Sequence, residues 1–451
     1  MDTTPEKDPA RTASGTSRRA FLQTLTVGAA GASLMGVPAA SYARILGAND
    51  RIGIGIIGAG RMGRGHIGKV HRHADTDIVA LCDVYKPNLD FVVAQDPDAR
   101  TYTDHAGLLA DERVDAVMVA SPDHWHALHA IDACRAGKDV YVEKPTSVAI
   151  AEGRAMVKAA RMYDRVMQVG TQQRSGDQFA RAVEIVRSGW LGPISFVRCW
   201  NFGNDAPEGI GTPPDSDPPP GLDWDRWLGP AIERPFNINR FGVILDEQGK
   251  YQRWASFRWF WDYAGGMMTD WGVHLLDIVQ WAMDVEYPNT VAASGGKFAL
   301  TDNRETPDTI QAAYGYPGFI CTYENRVCNG HRLHDQGYGI LFYGTKGTLY
   351  VNRSFLEVIP EQGRGLEPQR IERTNNSGDA HFANFIDCMR SRERPISDIE
   401  IGHRSSSTAI LGNMAYRTGR SLVWDGQSES VVGDAEAAAM LHRAYRAPWS
   451  L

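Results

Sequence analysis

The chain has 451 residues, 43% of them hydrophobic and 22% charged, with a formal net charge of −7. That length exceeds what one hydrophobic core serves, about 250–300 residues, so two domains are expected. A net negative chain is not built to neutralise phosphates, so no nucleic-acid partner is expected. Beyond the N-terminal segment no apolar run reaches the about 20 residues that cross a bilayer, so no stable membrane span is expected in the mature form.

The N-terminus carries Ser17-Arg18-Arg19-Ala20-Phe21-Leu22, then a mildly apolar stretch rich in Gly, Ala and Thr from Thr24 to Ala40, then the small residues Ser41 and Ala43. This arrangement resembles a twin-arginine signal peptide over residues 1–43 and predicts export of the folded protein to the periplasm or another extracytoplasmic compartment. The six cysteines, Cys82, Cys134, Cys199, Cys321, Cys328 and Cys388, form no CxxC pair, so neither a disulfide framework nor a zinc site is expected.

From residue 49 to 170 short apolar runs alternate with helical stretches, the pattern of βαβ units. The predicted strands are Ile52–Ile57, Ile78–Cys82, Ala116–Ala120, Asp139–Val142 and Val166–Val169. Each is almost continuously apolar, as a strand covered on both faces must be. The expected fold is α/β, an N-terminal doubly wound parallel Rossmann sheet. Residues 171–451 change character. Longer alternating segments, Ser195–Trp200, Ile310–Tyr314, Ile320–Asn325 and Gly339–Tyr343, predict an α+β domain with a large open mixed or antiparallel sheet. The Pro- and Gly-rich stretch Gly203–Gly221 suits an ordered loop or lid.

Gly58-Ala59-Gly60-Arg61-Met62-Gly63 follows the first strand and leads into a helical segment. Gly58 permits a tight turn, Gly60 lets a pyrophosphate approach the backbone, and Gly63 permits close helix–strand packing. The phosphate then meets the unpaired N–H groups of a helix start. Asp83 closes the second strand, where a carboxylate accepts hydrogen bonds from an adenosine ribose and repels a 2′-phosphate, favouring NAD over NADP. Lys86 is the nearby residue that could admit NADP. Asp123, His124 and His126 follow the third strand at its carboxyl end, where open α/β sheets place ligands.

Two further motifs, Glu143-Lys144-Pro145 after a strand and Thr269-Asp270-Trp271-Gly272-Val273-His274, combine with the glycine loop in a pattern that strongly resembles the Gfo/Idh/MocA oxidoreductases. Asp123-His124-Trp125-His126, Phe342-Tyr343-Gly344-Thr345-Lys346-Gly347 and Arg446-Ala447-Pro448-Trp449 extend the likeness from about Arg51 to the C-terminus. The resemblance implies that Lys144 faces the nicotinamide and a substrate hydroxyl, with Asp270 and His274 opposite, and that Ser121 and Pro122 lie against the cofactor. His126, Glu143, Lys144 and Gln172 complete the expected cofactor contacts.

The chemistry suits those assignments. A lysine pressed against a positive ring gives up its proton more readily, and histidine titrates near neutrality unaided. Positions 270 and 274 share a face if the segment is helical. The expected reaction is hydride loss from a secondary alcohol while His274 takes the hydroxyl proton and Lys144 hydrogen-bonds the oxygen, or with those two roles exchanged. Asp270 would orient the substrate or His274.

Several features stay open at this level. Gln173 and Arg174 could touch cofactor or substrate with Gln172. His124, His126 and His129 do not force a metal reading, and no metal is expected; His331, His334 and Asp335 could belong to the sugar pocket. Trp254, Trp259, Trp261 and Trp271 could stack on a sugar ring or pack a core. Gly242–Ser256 matches no family motif. An exported enzyme meets little free NAD, which implies a tightly held cofactor, and the family resemblance implies a sugar, cyclitol or glycoside substrate. The alternatives are a glycosidase using transient oxidation, although the His-Gly-Gly segment implied for such exported enzymes is missing, and a non-catalytic sugar binder. The open sheet implies a homodimer or homotetramer.

Overall fold

The structure is a computed structural model that describes residues 51–242 and 256–451. The twin-arginine segment, Trp254 and nearly all of Gly242–Ser256 lie outside the described residues.

Six strands form the first sheet: β1 (Ile52–Ile57), β2 (Thr76–Cys82), β3 (Arg100–Tyr102), β4 (Ala116–Val119), β5 (Asp139–Val142) and β6 (Met167–Val169). All pairings are parallel, in the order β3-β2-β1-β4-β5-β6. Every residue of β1, β4 and β5 is buried, which is why those runs could be read from hydrophobicity alone. The sequence did not signal β3, a three-residue edge strand whose Arg100 and Thr101 are exposed. The order reverses between β1 and β4, and the crevice at that switch point is where doubly wound sheets hold ligands.

The second sheet has ten strands: β7 (Ile194–Phe202), β8 (Thr290–Gly296), β9 (Thr309–Tyr316), β10 (Phe319–Arg326), β11 (Tyr338–Gly344), β12 (Gly347–Val351), β13 (Phe355–Pro360), β14 (Gln369–Glu372), β15 (Leu422–Asp425) and β16 (Ser430–Val432). Their order is β14-β13-β12-β11-β7-β10-β9-β8-β15-β16, with β7 and β10 parallel and the other pairs antiparallel. Side chains from the sheet, such as Tyr314, Cys321 and Phe342, share one core with Phe179 and Val183 of helix Asp177–Arg187, Leu276 and Val279 of helix Val273–Met283, and Ile410 and Leu411 of helix Ile399–Thr418.

Two late helices return to the first sheet. Phe382, Phe385, Ile386 and Met389 of helix Ser377–Ser391 pack with Ile52, Ile54 and Ile56 of β1. Ser397 carbonyl and Val169 amide, and Ser397 and Thr171 hydroxyls, tie the chain to the end of β6 at 2.9 and 2.8 Å. The Gly203–Gly221 stretch is an ordered loop whose end docks on the first domain, with Lys86 N–H donating to Gly221 O at 2.8 Å.

One buried ion pair fixes the helix that follows the second-domain motif. Arg174 Nε donates to Asp277 at 2.8 and 3.0 Å, and Ser405 Oγ donates to the same carboxylate at 2.7 Å. Removing one partner strands a buried charge. Asp277→Ala is therefore expected to cost about 3–5 kcal/mol, read as a lowered urea midpoint; an unchanged midpoint would show that the pair does not hold this helix.

Candidate active site at the junction of the two sheets

The glycine loop leaves β1 through Gly58, whose φ of 93° is strained for any residue with a side chain. Gly63 packs where an added Cβ would stand 2.0 Å from Gly58 O, while a Cβ on Gly60 would meet nothing within 4 Å. The loop is thus closed behind Gly63 and open in front of Gly60. That open face lies at the start of the twelve-residue helix Arg61–Arg72, a shape that fits a pyrophosphate. Gly58, Gly60, Arg61 and Met62 line a cavity of about 370 Å³; Gly63 does not, so its part is packing.

Asp83 lines the same cavity and accepts hydrogen bonds from Ala59 N–H and Tyr85 N–H at 2.8 Å each and from Asn88 Nδ2 at 3.1 Å. Burial pushes its carboxyl up to about 6, against those three donors. Lys86 points elsewhere: its ammonium pairs with Asp90 at 2.5 Å on the exposed side of its helix and does not line the cavity. The cradle therefore fits a nucleotide with free ribose hydroxyls, and the cation considered for a 2′-phosphate is engaged outside it.

The cavity runs on to the ends of β4 and β5. Ser121, Pro122 and His126 line it. His126 bridges the two strand ends, with Nδ1 2.7 Å from Pro145 O and Nε2 2.8 Å from Ser121 O. His124 and His129 are committed likewise, to Trp227 O at 3.0 Å and Ser121 Oγ at 3.0 Å. Among the described residues no group of three or more His, Cys, Asp or Glu is placed to hold a metal.

Glu143 lies 3.0 Å from His66 Nε2. Burial alone would raise its carboxyl, but His66, Lys69 and Lys144 outweigh burial and hold it at about 2. Next to it, Lys144 Nζ donates to Asp270 Oδ1 at 2.7 Å and to Asp270 O at 2.8 Å. Arg258 reaches the same carboxylate oxygen at 3.2 Å. These two cations overcome the effect of burial and keep Asp270 well below the usual carboxylate range. Asp270 thus clamps Lys144 and Arg258; no hydrogen bond joins it to His274. It sits not in an α-helix but in a π-helical turn, Met268–Gly272, from which helix Val273–Met283 continues. Such wide turns cluster at functional sites because they offset side chains that a regular helix would stack.

His274 lines the cavity beside this clamp. Burial, with Arg353 and Lys144 adding to it, depresses its pKa well below the ordinary value, so the ring is neutral at pH 7. Gln172 also lines the cavity, whereas Gln173 and Arg174 support it from behind: Gln173 Nε2 donates to His274 O at 3.0 Å, and Arg174 holds Asp277. Of the described tryptophans singled out, Trp271 alone lines this cavity; Trp259 is buried under Arg304, and Trp261 packs near Tyr416 and Arg417. His331, His334 and Asp335 stand away from it at a turn before β11, where His334 meets Glu357 at 3.3 Å.

The geometry adds residues that motif reading did not assign. Asp123, Arg258 and Arg353 line the cavity, as do Trp227 and Trp449, the latter edge-to-face on Trp125 at 4.8 Å. Arg353 follows β12 and Arg258 follows the undescribed segment, places where no local motif marks a ligand contact. Asp123 lay within a motif already noted, but only the fold shows it facing Lys144 and Arg258. Burial raises its carboxyl to about 7, although those two cations pull it down.

Fold and site together define an NAD-binding oxidoreductase. Residues 52–171 match the oxidoreductase family with an NAD-binding Rossmann fold, and residues 207–451 match the C-terminal α/β domain of the same family. The chain belongs to the Gfo/Idh/MocA oxidoreductases. It is 30% identical over 387 residues to the myo-inositol 2-dehydrogenase of Thermotoga maritima, covering 84% of this chain and 99% of that one. A second relative, the inositol 2-dehydrogenase of Rubrobacter xylanophilus, is 31% identical over 166 residues, which span 36% of this chain and 48%, about half, of that relative. The WlbA dehydrogenase of Bordetella pertussis, solved with NADH and UDP-GlcNAcA, shares the fold at TM-score 0.61 and 22% identity, over 83% of this chain and 99% of that chain. The aldose-aldose oxidoreductase of Caulobacter crescentus does so at 0.61 and 19%, over 83% and 99%.

Asp123 supplies a pH test of this electrostatic picture. Its folded-state pKa, about 7, lies above the unfolded value of 3.8, so between those values the folded state binds the extra proton and stability falls as pH rises. In the cofactor-free protein Asp123→Asn is expected to raise the melting temperature by an amount that grows from about pH 4 to about pH 7 and then levels off. A gain independent of pH would contradict the assignment.

Proposed function

We propose that this protein oxidises a secondary alcohol of a sugar, cyclitol or glycoside with NAD rather than NADP. The observation that carries the reading is the Lys144–Asp270 contact at 2.7 Å beside His274, in one cavity with the glycine loop and Asp83. The similarity to inositol dehydrogenases supports an alcohol carbon bearing a hydrogen as the point of attack.

When bound, NAD supplies the hydride acceptor. The chain's own residues handle the oxygen and its proton. A lysine ammonium has three N–H donors; Asp270 takes two of those of Lys144, which leaves one to hold the substrate hydroxyl. Because Asp270 fixes the ammonium, the remaining N–H is aimed rather than free to rotate. His274, neutral in its buried position, takes the hydroxyl proton as the carbon–hydrogen bond breaks and the carbonyl forms. Glu143, held ionised next to Lys144, adds negative charge to this part of the cavity.

Two variants test the assignment on the NAD-loaded protein. Lys144→Ala is expected to lower turnover of a sugar or cyclitol by about 10²–10⁴-fold, the range for loss of a positioned proton-handling group, while NAD stays bound. Asp83→Ala is expected to weaken NAD and narrow its advantage over NADP, and in the parent protein that advantage should shrink as pH falls through about 6, where Asp83 takes up a proton. Unchanged turnover in the first variant would sink the site assignment; release of an aglycone without net reduction would favour the redox-neutral glycosidase.

A further inference from the structure

Arg353, partly buried in the cavity wall, differs from the arginines that the fold pairs with carboxylates. Arg174 pairs with Asp277 at 2.8 Å, and Arg304 with Asp302 at 2.7 Å. Arg258 shares Asp270 with Lys144. Arg353 also lines the cavity and is largely desolvated; Asp270 and Glu143 act on it only through space, and among the described residues no carboxylate forms an ion pair with it. Its contacts are neutral: Nε donates to Gln173 Oε1 at 3.0 Å, and the guanidinium lies over the Trp271 ring, 4.5 Å from its centroid. A partly buried guanidinium without an ion-pair partner is costly, and this one lines the cavity in which substrate must sit.

The support around Arg353 is built rather than incidental. It follows β12 in a turn that Asn352 fixes, its Oδ1 accepting from Ser354 N–H at 2.7 Å and Phe355 N–H at 3.0 Å. Gln173 holds Arg353 through its Oε1 and the start of the His274 helix through its Nε2. One side chain therefore sets the separation between the guanidinium and the proposed base. The stacked face on Trp271 leaves the edge of the fork for a ligand, the geometry in which arginine grips a carboxylate through two parallel N–H donors. The pyrophosphate does not need it, because the glycine loop has its own donors at the start of helix Arg61–Arg72.

We infer that Arg353, braced by Gln173 and stacked on Trp271, receives a carboxylate of the substrate, so that the molecule oxidised here is a sugar acid, an aldonate or uronate, rather than a neutral sugar or cyclitol. The inference rests on the oxidoreductase reading of the same site but predicts a property that reading does not require. The charge arrangement agrees with it: Lys144, Arg258 and Arg353 converge on one end of the cavity, and Asp270 is already engaged by the first two.

The test uses the NAD-loaded full chain and two readouts, quenching of tryptophan fluorescence, to which Trp271 reports directly, and nicotinamide absorbance. D-glucuronate and D-gluconate are compared with D-glucose in the parent protein, Arg353→Met and Arg353→Lys. The expected result is that at least one of the acids binds about tenfold or more tightly than glucose, the size of a charge-assisted hydrogen bond. Arg353→Met should abolish the preference with NAD still bound, and Arg353→Lys should retain part of it. Equal affinity for acid and neutral sugar, no binding of either acid, a preference that persists in Arg353→Met, or loss of NAD in place of loss of preference would each overturn it. If Arg353→Met fails to fold, the parent protein and Arg353→Lys decide. An acid that binds through Arg353 and never changes the nicotinamide absorbance would uphold the carboxylate receptor and count against the redox reading alone.

Discussion

The ammonium of Lys144 leaves the end of β5 and meets the carboxylate of Asp270, on a turn of the second domain, at 2.7 Å with both side chains nearly buried. A pair so placed requires each domain to hold its half still. On one side His126 braces the strand ends and Glu143 lies against His66. On the other, the π-helical turn presents Asp270, and the Arg174–Asp277 pair anchors the helix behind it. Late helices returning to β1 and β6 lock the two sheets together. These contacts together keep one interdomain pair in register.

The same arrangement sorts the ionisable groups by environment. Asp270 and Glu143 stay ionised because cations or N–H donors outweigh their burial, whereas Asp83 and Asp123, more weakly compensated, are pushed up. His274 is pushed down and left neutral. Groups driven apart in this way can hold charge, accept a proton or bind a neutral hydroxyl at one pH, which is what alcohol oxidation asks of a site.

The first domain was legible in the sequence because its strands are buried on both faces and its glycine loop has a mechanical signature; only β3, too short and too exposed, gave no signal. In the second domain alternation revealed β7, β9, β10 and β11. The candidate site was legible where chemistry is packed into local motifs: Lys144 beside Glu143, and Asp270 four residues before His274. It was not legible where the fold gathers distant residues. Arg353 sits in a turn after β12, Trp449 is the third residue from the C-terminus, and their common destination depends on sheet order. Sequence proximity also misled: Gln173 and Arg174 adjoin Gln172 but turn to support the helix behind the cavity, and Asp270, assumed to share a regular helix with His274, lies in a wider turn just before it.

The most direct measurement is to titrate the purified, NAD-loaded protein with a panel of cyclitols, aldoses and sugar acids while following the absorbance of reduced nicotinamide, in the parent chain and in Asp270→Asn. The account predicts that at least one member of the panel reduces the bound cofactor and that the change is lost or greatly slowed when Asp270 can no longer fix Lys144 as a carboxylate. Reduction at the parental rate in Asp270→Asn, or a protein that holds NAD and is reduced by none of the panel, would contradict it.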